Sequence, residues 1–209
     1  MMENAVLAPL AAPDFQALRT LRRLSVIEAR ELSAYVPAAR LFVKEALARA
    51  EALADQDAEL SRELVTLARR ASYNLGADTW PGWGDGQTVT AEEQRLGAAA
   101  AALCLELGEQ LNEADDARAG ALWLVGAHAL ATRSLPAARD AFAKAAALAL
   151  EPEGKLLFEG YLALTGVVAG EDGSEQRLAD IRERLAQVSD DPWSVKQLLT
   201  AEAAFAAPA

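Results

Sequence analysis

The stretch over 118–152 leaves a chain like this few choices of fold. It reads as two helices of different character joined by a very short turn. The first, over 119–132, carries Leu122, Val125, Gly126, Ala129 and Leu130 at helical spacing. The second starts near Ser134, with Pro136 in the first turn, where a missing backbone N–H is tolerated. It then shows Ala138, Phe142 and Ala145, an A-x-x-x-F-x-x-A spacing. Small residues at such positions let two helices approach closely, and Phe142 fills the space between them.

Together these residues resemble one tetratricopeptide repeat, whose pattern is W-x-x-L-G-x-x-Y, then A-x-x-x-F, then a later Ala and Pro. Leu122 stands at the Trp position, Val125 at the Leu, Gly126 at the Gly and Ala129 at the aromatic. Ala138, Phe142 and Ala145 match the second helix, and Pro152 falls about two residues late. The glycine and aromatic usual in the turn are replaced by Arg133 and Leu135. Advancing by the family period of about 34 residues takes Leu122 to Leu156, Gly126 to Gly160, Ala129 to Ala163 and Leu130 to Leu164. Glu159 breaks this divergent second copy where Val125 stood, and no A-x-x-x-F follows Gly173. The resemblance implies an all-α fold, with antiparallel helical hairpins stacked as a short α-solenoid from about residue 90.

Composition agrees with helix. Hydrophobic residues make up 52% of the chain but aromatics only 6%, because alanine carries much of the total. Ten of the 20 basic and ten of the 31 acidic residues precede position 71, so the formal charge of −11 arises entirely after it. Such an acidic balance argues against nucleic acid and anionic membrane surfaces as partners. Cys104 is the only cysteine, so no intrachain disulfide forms, which fits a reducing cytoplasmic setting. It reads as a small buried hydrophobe. No span reaches the roughly 18 to 20 strongly apolar residues a membrane helix needs.

Taken in order, residues 1–13 read as a flexible tail and 14–209 as a single helical domain of nine helices. Asp14 is placed to cap a first helix, which Pro37 ends or kinks, and a second helix continues over 38–54. A third follows over 57–75, with Leu60, Leu64, Leu67, Ala68 and Ala71 at core spacing. Thr90 and Glu93 form a capping box that starts a long helix to about Leu111. Its middle, over 97–102, is nearly bare of bulky side chains, so a neighbouring helix can lie close. Asp115 or Asp116 is the expected cap of the organising hairpin. Further helices are expected over 153–169, 174–188 and 193–206, the last with Asp191 at the cap.

The one extended interruption is 76–90, GADTWPGWGDGQTVT. Its glycines lack the preceding strand and the Lys-Ser/Thr pair of a nucleotide loop. Asp78 and Asp85 miss the calcium-loop pattern. Trp80 and Trp83 are expected to plug this loop onto the helices, or else to form a loop contact for a partner.

Catalytic chemistry has little to work with. His128 is the only histidine, so neither metal spacing nor a Ser-His-Asp triad finds its companions. The acids Glu106, Glu109, Glu113, Asp115 and Asp116 read as solubilising charge. No cofactor is expected. The resemblance therefore implies a non-catalytic protein–protein interaction scaffold. Mapped from the two family glycines, its concave groove is formed by Trp123, Ala127 and Leu130, then Leu157, Tyr161 and Leu164. These lack the Lys and Asn used by family members that clamp acidic C-terminal peptides, and suit an apolar or helical segment instead. The chain's own final helix, carrying Val195, Leu198, Leu199 and Phe205, is the competing occupant of that groove. Two alternatives stand beside the scaffold. One is a small-ligand-binding regulatory or enzyme domain with a pocket between the helices and the Trp80–Trp83 loop; the other is a structural homodimer.

Overall fold

The computed structural model describes residues 32–189 and 192–206. Over these the chain is all-α, without a strand, and each helix packs on the next in sequence. There are eight α-helices among the described residues: α1 Leu32–Leu53, α2 Ala58–Asp78, α3 Ala91–Gln110, α4 Asp115–Ala131, α5 Leu135–Leu148, α6 Pro152–Val168, α7 Ser174–Val188 and α8 Trp193–Phe205. One short 3-10 turn, Pro81–Trp83, interrupts the series. The expected tail over 1–13, the cap at Asp14, the start of the first helix and the cap at Asp191 lie outside the described residues.

Pro37 neither ends nor divides the helix it sits in. α1 runs through it, with Pro37 exposed, so its ring projects away from the packed face. Asp57 caps α2 by accepting from the Leu60 N–H at 3.0 Å. The capping box is complete on α3: Thr90 accepts from the Glu93 N–H, and Glu93 accepts from the Thr90 N–H at 2.8 Å. Neither Asp115 nor Asp116 caps α4. Ala114 holds the cap position, and both acids lie in the first turn, where the positive end of the helix dipole favours them.

α4 is enclosed on most sides, as its apolar all-round sequence requires. Ala119, Ala121, Trp123, Leu124, Gly126, Ala127, His128 and Leu130 are all buried. Two features let its neighbours come close. A Cβ at Gly126 would lie 2.7 Å from the Phe142 ring on α5, so only glycine admits that ring. On the other side, a Cβ at Gly97 of α3 would strike Thr79 and lie 2.8 Å from His128 Cε1. The bare stretch of α3 is thus matched by polar side chains from α2 and α4.

His128 shows how those helices are tied. It is 3% exposed, and its Nε2 donates to the Gly76 carbonyl of α2 at 2.9 Å. A carbonyl only accepts, so the proton is on Nε2 and Nδ1 is left without a partner. Burial pushes this imidazole below its ordinary pKa, partly offset by the Gly76 hydrogen bond. Cys104 is fully enclosed, and burial pushes its thiol up to about 11. Arg69 of α2 meets Glu113 at 2.7 Å and holds the turn after α3 against α2.

Candidate functional site

The sequence treats the 76–90 loop and the 123–164 groove as two places. The structure makes them one. α2 runs to Asp78, further than the loop's expected start, and then turns sharply at Thr79. Thr79 is buried and donates its hydroxyl to the Leu75 carbonyl at 2.6 Å. That turn drives the Trp80 indole inward. It is 1% exposed, and its Nε1 donates to the Ala127 carbonyl of α4 at 3.0 Å. Trp83 folds back on the same turn and donates to the Ala77 carbonyl at 2.6 Å. Gly82 between them is required, because a Cβ there would strike the Trp80 ring.

The Trp80 ring is surrounded by aromatic edges and faces. Trp83 lies 4.9 Å away at 87°, Trp123 at 5.6 Å and 76°, Tyr161 at 6.0 Å and 60°, and Phe205 at 6.0 Å and 42°. Trp123 and Tyr161 are themselves 5.6 Å apart, and Phe142 approaches Tyr161 to 5.2 Å. Edge-on pairs of this kind set the electropositive rim of one ring against the electronegative face of the next. The cluster is also the main core of the molecule, so its shape is fixed by packing.

Of the six groove positions, Trp123, Ala127, Leu130, Tyr161 and Leu164 are buried and Leu157 is half-buried. They do not form an open surface. The chain covers them itself: Trp80 lies over the α4–α6 side, and α8 closes the rest. α8 rests on α6, α7 and the 3-10 turn. Its face also differs from the expected stripe. The buried residues are Ser194, Gln197, Leu198 and Ala201, while Leu199 is 48% exposed and Val195 and Phe205 are half-buried. Leu198 is the large anchor, seated against Gly160 of α6. Leu199, expected on the inner stripe, is thus the one residue of the four that faces outward.

Charged side chains mark both ends of this seat. Glu153 of α6 accepts hydrogen bonds from Ser194 at 2.6 Å and Ser189 at 2.8 Å, near the start of α8. Those two hydroxyls hold its carboxyl below the usual range. At the far end Arg182 of α7 pairs with Glu202 of α8. Within the aromatic cluster two buried polar atoms are left unsatisfied, the Trp123 Nε1 and the Tyr161 hydroxyl. Burial raises the Tyr161 pKa strongly; the neighbouring Gln197 and Trp123 side chains pull it back, yet neither completes a hydrogen bond of good geometry. Glu153, Arg182, Ser194 and Gln197 carried no motif in the sequence, and only the i, i+3, i+4, i+7 spacing of small and polar residues marks this face of α8.

Between the helices and the Trp80–Trp83 loop, where the sequence allows a small-ligand pocket, the Trp80 indole is buried. A cavity of about 610 Å³ lies elsewhere, at the α6–α7 turn, lined by Glu171, Asp172, Glu175 and Gln176 among others. Among the described residues no cluster of His, Cys, Asp and Glu is arranged to hold a metal ion. None of their helices is long and apolar enough to cross a membrane. Compared with family models, curated proteins and solved structures, the chain finds no match.

Proposed function

We propose that this chain is a cytoplasmic, non-catalytic interaction scaffold, built as a tetratricopeptide-like solenoid from about residue 90, that takes an amphipathic helical segment of a protein partner. The observation that carries the reading is the way α8 is held. It buries Ser194, Gln197, Leu198 and Ala201, positions i, i+3, i+4 and i+7, on the face of α6 beside the Trp80–Trp83 turn. That is the register by which an amphipathic helix lies in a groove. Gly126, facing Phe142 of its hairpin partner α5, supports the repeat reading.

The test is direct binding of a panel of synthetic amphipathic helices, varied in apolar anchors and charge, to the full chain by titration calorimetry. Saturable binding by helices with an i, i+4, i+7 stripe, and none by scrambled controls, is the expected result. If no helix of the panel binds, even to variants with weakened α8 packing, the scaffold reading fails.

A further inference from the structure

We propose that α8 is an internal competitor for this seat, and that Glu153 and Arg182 specify the helix that replaces it: amphipathic, with a hydroxyl or cationic residue at its start, an aliphatic anchor four residues on, and an acidic residue four further. The inference rests on the scaffold reading above and adds the ligand's chemistry and its control.

The seat has a direction. Glu153 receives the Ser194 hydroxyl at the N-terminal end of the bound helix, where partial positive charge gathers, and Arg182 receives Glu202 near the C-terminal end, where partial negative charge gathers. A helix entering backwards would set its dipole against both. The spacing 194, 198, 202 is one residue every turn, so the three contacts lie along a single edge of the helix.

α8 fills this seat incompletely. Two of its four buried positions are polar and a third is alanine, so Leu198 is its only fully buried large apolar side chain. Val195 and Phe205 are half-buried against the core, and Trp193 and Leu199 are 53% and 48% exposed. Beside Gln197 of α8 the Tyr161 hydroxyl, on a fully buried residue, is without a completed hydrogen bond. An unmet polar group and small anchors are what a better-matched helix corrects. An occupant tethered in the same chain lowers the apparent affinity of any competitor by the fraction of molecules in which the seat is free.

The experiment uses the full chain and, as probe, a capped synthetic peptide of residues 192–206, titrated by calorimetry. Leu198→Ala and Glu202→Gln weaken the tethered helix and leave the seat intact, so each is expected to bind the peptide about threefold or more tighter than the parent. Adding Arg182→Glu to Glu202→Gln, whose tethered helix no longer uses that charge, should abolish the gain, and a peptide carrying Glu202→Arg should restore it. Equal affinity across the parent and both weakened variants overturns the proposal, as does failure of the charge exchange to restore binding. If panel helices bind with no dependence on Arg182 and no competition from the peptide, this inference falls and the scaffold reading stands. If nothing binds any variant, both fall.

Discussion

Leu198 occupies the space a side chain on Gly160 would need. A Cβ built at Gly160 would lie 2.5 Å from Leu198 Cδ1 and 3.0 Å from Cδ2. The pair fixes how deeply the last helix sits on α6. Gly160→Leu should therefore cost roughly 1–3 kcal/mol through overpacking. Gly126→Leu should cost a similar amount by displacing the Phe142 ring. The two should differ in kind: limited proteolysis of the Gly160 variant should release the C-terminal segment first, whereas the Gly126 variant should open the α4–α5 hairpin.

The two loop tryptophans should separate clearly. Trp80 is fully enclosed and hydrogen-bonded to α4, so Trp80→Ala should lose about 3–5 kcal/mol in urea unfolding. Trp83 is only half-buried, and Trp83→Ala should cost less than half of that. Equal losses would show that the turn, rather than the indole, is what holds the loop.

His128 makes stability depend on pH. Its folded pKa lies below the ordinary value near 6.5, so the unfolded chain takes up the proton first. The contribution is fully present above about pH 6.5, falls as pH drops through the window below it, and levels off once the folded imidazole also protonates. Urea midpoints at about pH 7.5 and about pH 5.5 should show the decline in the parent. His128→Gln should flatten that part of the profile.

Cys104 should be inert in the native state. A fully buried thiol with a pKa near 11 presents almost no thiolate at neutral pH. Reaction with an aromatic disulfide reagent should therefore follow the unfolding transition in urea, with one thiol titrated per chain. Rapid labelling in buffer would contradict the packing around α3.

Thr90 reads its role from sequence and keeps it in the structure. Thr90→Ala removes the acceptor for the Glu93 N–H and should cost about 1 kcal/mol. Thr90→Ser should cost almost nothing.

Helices and their ends were legible where chemistry is local. The capping box at Thr90, the Asp57 cap, Pro136 in the first turn of α5 and the bounds of α7 all depend on residues within a turn of one another. Pro37 and the acids at 115 and 116 were not, because a proline in an exposed helix position and an aspartate near a helix start each have two local outcomes, decided by packing. The groove shows the limit most plainly. Trp123 and Tyr161 converge, with ring centroids 5.6 Å apart. In the sequence the final helix stands as one of two candidate occupants, but choosing it, and joining it to Trp80 over the same residues, depends on contacts between distant parts of the sequence that no periodicity encodes. On α8 the expected stripe holds for Leu198, Val195 and Phe205, while Leu199 turns outward and the small or polar Ser194, Gln197 and Ala201 take the buried places.

The aromatic cluster has one more consequence. The chain has four tryptophans, and Trp80, Trp83, Trp123 and Trp193 form a connected set, with successive ring centroids no more than 6.1 Å apart. At such distances excitation passes from ring to ring before it is emitted, and the near-ultraviolet transitions couple. The intrinsic fluorescence of this protein is therefore not an average over the molecule. It is a local optical signal from the junction of the 79–83 turn, α4 and α8, and Trp193, at its solvent edge, places the start of the last helix inside that signal.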